Sequence, residues 1–197
     1  LSMPLELAPF LIDTSKESCA KPWAYSEYML QKVSRTFALN IQVLPMALKR
    51  QVLLAYLFCR MADTIEDEPS FSSKEKKEHL DRFAGIFLNP LTWKSNAELF
   101  HQAIPAVWRS SDHSDYYLTA HPQWPLELFF DNSSPAIASI SRWVREMCHG
   151  MRDFSLQAKD GYLAINTLEE LDEYCYYVAG TVGFMLSELF FQYSPLI

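Results

Sequence analysis

Glycine and long apolar runs are both scarce in this sequence. There are five glycines in 197 residues, and strand-like alternation of apolar and polar residues is rare. The most apolar stretch, residues 174–186, is stopped by Glu188 and is too short to span a bilayer. The first ten residues contain no basic side chain, so we expect no secretory signal peptide there. These absences favour a helical protein without a membrane span.

Basic residues are fewer than acidic ones: 17 Lys and Arg residues and 24 Asp and Glu residues give a net charge of −7. This balance provides no basic surface for nucleic acid and argues against general binding to anionic membranes. Four cysteines, Cys19, Cys59, Cys148 and Cys175, are widely spaced without a C-x-x-C pair, which is typical of free thiols in a reducing compartment. We therefore expect a cytoplasmic protein with one domain over residues 1–197.

Proline and capping patterns divide the chain into at least six helices, which predicts an all-α bundle. Ser72 and Glu75 form one S-x-x-E capping box, and Thr167 and Glu170 form another. The predicted helices cover residues 23–33, 46–68, 73–88, 96–109 with a break at Pro105, 135–154, and 167 onward. Residues 110–125 are polar and rich in histidine, and we expect an irregular surface connection there.

The stretch from Leu53 to Pro69 organises the chain. At 100° per residue, Tyr56, Arg60, Asp63 and Asp67 lie on one helix face. Neighbouring carboxylates repel, more strongly when partly buried, and oxygen ligands on one rigid face suit Mg²⁺ with substrate phosphates. An isolated D-x-x-x-D is more typical of a solvated helix end, so the spacing leaves both interpretations open.

Small residues cluster in the last predicted helix, where Ala179, Gly180 and Gly183 share one side. Glycine within a helix costs up to about 1 kcal/mol relative to alanine, so two of them need a reason. Either two helices approach closely, or a groove accommodates a long apolar ligand. Tyr174 can project a phenol toward the same space, although a tyrosine in an aromatic stretch is more often a core residue.

Three segments in this order resemble the squalene/phytoene synthase family of head-to-head isoprenoid synthases. They are S-R-T-F at Ser34–Phe37, the segment Tyr56–Asp67 with R-x-x-D-T-I-E-D, and the Y-C-x-x-V-A-G-x-V-G segment that begins at Tyr174. The segment Met147–Met151 is also similar. The resemblance covers residues 22–193 and implies an isoprenoid-synthase-type helical bundle around a central cavity.

The resemblance also implies roles for individual residues. Asp63, Asp67 and Glu66 would hold Mg²⁺ against substrate diphosphate, Arg60 would contact phosphate, and Tyr174 would act near the reacting centre. Asp63 and Asp67 thus count as catalytic together with Tyr174. The other substrate-binding positions that it implies are Ser34, Arg35, Phe37, Tyr56, Val178, Ala179, Gly180 and Gly183.

The residues Asp63–Asp67 look more like the squalene synthase version of the motif. This favours condensation of two farnesyl diphosphates to presqualene diphosphate and then squalene, with NADPH as reductant. The resemblance also allows peripheral membrane association for product release. A dehydrosqualene or phytoene synthase would share every residue quoted and need no NADPH. A non-catalytic assembly factor of the same family is a further alternative. Two others are a head-to-tail prenyltransferase or terpene cyclase, and a helical lipid-binding module.

The sequence departs from the family pattern at one point. The family carries a second aspartate-rich motif on a helix after the segment that matches Tyr174–Gly183, and this sequence ends before such a motif. We therefore expect the chain to represent the N-terminal portion of the fold. Whether these 197 residues are active alone is left open by the sequence.

Overall fold

The computed structural model of the chain describes residues 22–34, 36–131, 133–158, 163 and 165–194, and over these ranges it contains helices and no strand. The prediction of an all-α protein with at least six helices is confirmed. The helices are α1 Pro22–Val33, α2 Phe37–Gln42, α3 Met46–Glu66, α4 Ser73–Ile86, α5 Trp93–Ala103, a 3-10 helix Ala106–Ser110, α6 Ser114–Ala120, α7 Gln123–Phe130, α8 Ala136–Gln157, α9 Leu168–Cys175, a π-helical segment Tyr176–Gly180 and α10 Thr181–Tyr193.

The predicted helix boundaries follow local chemistry. Both capping boxes form: the Ser72 hydroxyl accepts from the Glu75 amide at 3.3 Å, and the Thr167 hydroxyl accepts from the Glu170 amide at 3.1 Å. Pro105 separates α5 from the 3-10 helix, as expected for a residue that lacks an amide hydrogen. These signals fixed the starts of α4 and α9 to within a residue.

Helix α3 lies at the centre of the bundle and contacts α1, α4, α8 and α10. Apart from the face that bears Tyr56 and Arg60, its middle is apolar and buried. Seven of its side chains are completely buried: Leu53, Leu54, Leu57, Phe58, Met61, Ala62 and Ile65. The ring of Phe58 meets Phe87 and Phe129 at centroid distances of 5.0 and 5.2 Å. This aromatic cluster fixes α3 in place and holds its acidic C-terminal end at one end of the bundle.

The prediction of an irregular surface connection at residues 110–125 is wrong. This region contains α6 and the start of α7, and Leu118, Thr119 and Ala120 have no exposed surface. A seven-residue helix is too short for a convincing apolar period, and its neighbouring histidines and prolines suggested a loop. The consequence is functional, because α6 packs on α3 beside its acidic end.

A few boundaries differ by two or three residues. Helix α3 ends at Glu66, two residues earlier than predicted, and Asp67 is its C-cap. Helix α8 continues to Gln157, beyond the predicted end at Phe154. Among the helices described here, none is long and apolar enough to cross a membrane.

Candidate active site

Three acidic side chains gather at the C-terminal end of α3. The Asp67 amide donates to the Asp63 carbonyl at 2.8 Å, so the predicted one-turn spacing is kept although Asp67 lies just beyond the helix. Glu66 is 7% exposed, Asp63 is partly buried and Asp67 is exposed. Two of the three carboxyl groups are therefore removed from much of the surrounding water.

Burial makes ionisation of this cluster unfavourable. It raises the pKa of Asp63 from 3.8 to about 7, with further increases from the charges of Asp67 and Asp115 and an opposing effect from Arg60. Burial likewise raises the pKa of Glu66 from 4.5 to about 7, with Asp67 and Asp63 adding to the increase. Near neutral pH the cluster is therefore poised to lose protons when a cation arrives.

The cluster fits a divalent cation that shares its coordination with a ligand. The Glu66 Oε1 atom is buried and has no hydrogen-bond partner in the described part of the chain. The nearby Lys76 ammonium donates to the Glu66 backbone carbonyl rather than to this oxygen. Across the described ranges, no three His, Cys, Asp or Glu side chains are arranged to hold a metal ion by themselves. Mg²⁺ commonly takes one or two carboxylates and completes its shell with phosphate oxygens and water, which this arrangement permits.

Tyr174 comes to this cluster from α9, more than one hundred residues later in the chain. Its ring packs edge-on against Phe154 of α8 at 5.3 Å between centroids. Burial raises the pKa of Tyr174 to about 12, and the charges of Glu66, Asp67 and Asp63 add to the increase. The neighbouring Tyr174 phenol in turn acts to lower the pKa of Glu66, against the larger effect of burial. The structure thus brings Tyr174 within electrostatic range of the three predicted acids.

Arg60 lies on the side of the cluster that faces α6. Its Nε atom donates to Asp115 Oδ1 at 2.8 Å. A cavity of about 140 Å³ lies here and is lined by Arg60, Thr64, Asp67, Glu68, His113, Asp115 and Tyr116. The predicted arginine and one of the predicted acids therefore border the same small space.

The N-terminal residues of the predicted site have local contacts. Ser34 is buried, and its hydroxyl accepts from the Ala38 amide at 3.2 Å at the start of α2. The Tyr56 hydroxyl donates to the Val33 carbonyl at 3.3 Å, and its ring lies 5.7 Å from that of the exposed Phe37. Arg35 lies outside the described residues.

The small-residue face is open at its C-terminal part. A Cβ atom added at Gly183 would meet nothing within 4 Å, and Ala179 and Gly183 are exposed while Val178 and Gly180 are partly buried. Close helix contact therefore does not explain Gly183 within the described structure. Close approach occurs instead at Gly150, where an added Cβ would lie 1.9 Å from the Tyr177 ring. Gly180 ends the π-helical segment, a feature that often accompanies functional sites.

Several residues at this end of the bundle escaped the sequence analysis. Asp115 and Tyr116 were missed because α6 was not predicted. Lys76 falls within the predicted helix 73–88 but was not among the predicted site residues, although its place in the first turn after the Ser72 cap sets it beside the end of α3. Nothing in the sequence marks Phe154 as the ring against which Tyr174 packs.

An all-helical bundle with a cluster of acids, an arginine and a phenol at one end has the architecture of an isoprenoid synthase. In accord with this, a solved structure of TcSQS in complex with the ligand E5700 superposes with a TM-score of 0.67 at 25% identity, over 86% of this chain and 44% of that one. The family model for squalene/phytoene synthase matches residues 30–196. The chain belongs to the squalene/phytoene synthase family.

Squalene synthases are among the curated relatives of the chain. The enzyme of Solanum lycopersicum is 32% identical over 171 residues, which is 85% of this chain and 36% of the relative. The Botryococcus squalene synthase of Botryococcus braunii is 30% identical over 198 residues, which is 96% of this chain and 38% of the relative. The chain thus spans little more than a third of the length of these relatives.

Proposed function

We propose that this chain contributes the first-substrate half of a head-to-head prenyl diphosphate synthase. The observation that carries the proposal is that Tyr174, packed on Phe154 of α8, lies within electrostatic range of Asp63, Glu66 and Asp67, although these acids precede it by more than one hundred residues. A structural bundle gains nothing from burying two carboxyl groups whose ionisation opposes folding. A catalyst that binds diphosphate through a metal ion, in contrast, needs the negative charge of these carboxylates to hold the metal ion.

In the proposed reaction the bond from C1 of one allylic prenyl group to its diphosphate breaks, and the electron pair leaves with the diphosphate. Arg60 and Arg35 stabilise the departing charge, since the arginine fork suits phosphate oxygens. The double bond of the second prenyl diphosphate attacks the resulting cation. Loss of a proton then closes a cyclopropylcarbinyl diphosphate, and Tyr174 assists that proton transfer. Bound Mg²⁺ would supply charge neutralisation of the diphosphate.

The prenyl chains need an apolar surface that excludes water from the cation. We assign this role to the face formed by Val178, Ala179, Gly180 and Gly183, together with Phe37 and Tyr56. The open space beside Gly183 supports the assignment, because a missing side chain there leaves room for a ligand. Ser34 supports this surface indirectly through its hydrogen bond to the start of α2.

We propose farnesyl diphosphate as the substrate and squalene as the product, with NADPH as hydride donor, because the relatives quoted above are squalene synthases. A dehydrosqualene or phytoene synthase uses the same site without reduction. A non-catalytic assembly factor would be free to lose the acids, but Asp63, Asp67 and Tyr174 are all present.

The test uses the complete gene product with Mg²⁺. Farnesyl diphosphate and geranylgeranyl diphosphate are supplied separately, each with and without NADPH, and hydrocarbons are identified by mass spectrometry. Squalene that requires NADPH supports the proposal, whereas a C30 or C40 polyene made without NADPH indicates the carotenoid branch. Absence of diphosphate release from both substrates would favour the assembly factor. Asp63→Asn serves as the inactive control and should keep its helicity by circular dichroism.

A further inference from the structure

The ion pair between Arg60 and Asp115 links α3 to α6 across 55 residues of sequence. The Nε–Oδ1 distance is 2.8 Å, and the side chain of Asp115 is 21% exposed while that of Arg60 is 36% exposed. The second Asp115 oxygen lies 3.7 Å from His113 Nδ1. Asp115 is thus a largely buried carboxylate whose shortest contact is to the predicted phosphate-binding arginine.

The contact uses one particular edge of the guanidinium group. Arginine presents five N–H donors in a planar fork, and here Nε is the atom that donates to Asp115. Neither Nη atom of Arg60 forms a hydrogen bond with another described residue. The terminal edge of the fork, with two parallel N–H groups, therefore remains for an anion such as a phosphate group.

Asp115 is held on a rigid support. Tyr116 stacks on Trp108 with ring centroids 4.4 Å apart, and the Thr119 hydroxyl donates to the Asp115 carbonyl at 2.8 Å. The C-terminal half of α6 is fully buried. The Asp115 carboxylate therefore has little freedom to follow Arg60 elsewhere.

Arg60 has competing partners. Its charge lowers the pKa of Asp63, which lies one turn further along α3. Without Asp115, the flexible arginine side chain would be drawn to the acid cluster, where it would neutralise the carboxylates that the proposed function needs. With Asp115, the Nε edge of the guanidinium is held against α6.

We propose that Asp115 is a positioning residue, which holds Arg60 through Nε so that its terminal edge faces the diphosphate of a prenyl substrate. This inference rests on the proposed function and deepens it. The opposite possibility is a latch, in which Asp115 competes with the diphosphate for Arg60. Removing the Asp115 charge should weaken diphosphate binding if Asp115 is a positioning residue, and should strengthen it if Asp115 is a latch.

The test measures binding of inorganic diphosphate with Mg²⁺ to the complete gene product by isothermal titration calorimetry. Asp115→Asn should weaken binding on the order of tenfold, since it removes the charge that orients the arginine. Asp112→Asn is the matched control, because it removes the same charge from an exposed residue three positions away and should leave binding unchanged. Asp115→Glu should restore affinity to within about threefold of the wild type.

A double-mutant cycle then separates positioning from a general loss of structure. In an Arg60→Ala background, Asp115→Asn should have no further effect on diphosphate binding. An equal loss in both backgrounds would overturn the inference, as would binding by Asp115→Asn that is as tight as, or tighter than, that of Asp112→Asn. If the wild-type protein itself fails to bind diphosphate, the proposed function fails and the inference fails with it. Circular dichroism of each variant confirms that it is folded.

Discussion

Replacing Asp63 by asparagine should stabilise the fold at pH 8. Burial raises the pKa of this carboxyl group from 3.8 to about 7, so at pH 8 the folded protein holds an anion that its surroundings disfavour. At 1.36 kcal/mol for each pH unit, the difference corresponds to about 4 kcal/mol for an isolated group. Asparagine has a similar shape and no charge, and therefore removes this cost.

The sign of the pH dependence follows from proton binding. Between pH 3.8 and about 7 the folded state holds more protons at Asp63 than the unfolded state does. The free energy of unfolding of the wild type should therefore fall as the pH rises through this window. Glu66 contributes in the same direction from 4.5 to about 7. The Asp63→Asn variant should lose the Asp63 part of this slope and match the wild type near pH 4.

Thermal denaturation followed by circular dichroism, in metal-free buffers from pH 4 to 8, tests the prediction. For a domain of this size, a gain of about 4 kcal/mol raises the midpoint by on the order of 10 °C. Asp67→Asn is the matched control: its carboxylate is exposed, and it should gain a few tenths of a kcal/mol from relieved repulsion. A variant Asp63→Asn that is destabilised at pH 8, or whose slope equals that of the wild type, would refute the reasoning.

Four further measurements test the site and its packing. Millimolar Mg²⁺ at pH 8 should raise the melting midpoint of the wild type and leave that of Asp63→Asn unchanged; equal shifts would mean that the ion acts elsewhere. Tyr174→Phe should lower kcat for prenyl diphosphate condensation more than it raises KM, whereas a change in thermal stability alone would make Tyr174 a core residue. Gly150→Ala should destabilise the fold by about 1 to 3 kcal/mol, because its Cβ would overlap the Tyr177 ring. Gly85→Ala, whose Cβ would meet nothing within 4 Å, should instead stabilise α4 by up to about 1 kcal/mol in chemical denaturation.

Much of the fold follows from short-range signals in the sequence. Pro22, Ser72 and Thr167 mark helix starts through caps and fixed backbone geometry, and the structure confirms all three. The period of α3 also places Arg60 and Asp63 on one face. These features depend on neighbours within one or two turns, so the sequence contains all the information that they need.

The position of α6 depends on tertiary contacts and could not be inferred in this way. Its seven residues make too few turns for a period, and its burial comes from aromatic packing such as that of Tyr116 on Trp108. The Arg60–Asp115 pair was invisible for the same reason, since nothing in the sequence indicates that residues 55 positions apart will meet. Tyr174 was placed at the acid cluster through family resemblance, whereas its aromatic sequence context favoured a core position.

The roles of Gly180 and Gly183 could not be decided from the sequence either. The sequence offered close helix approach and a ligand groove as alternatives for Gly180 and Gly183. The structure divides these roles between elements: Gly150 of α8 permits the close approach of Tyr177, while Gly183 borders open space. Tyr177 packs against α8 at Gly150. The face of the same helical stretch that bears Gly183 has no such neighbour in the described structure. The contact at Gly150 thus packs the helical stretch around Tyr177 against α8, while the face bearing Gly183 stays exposed.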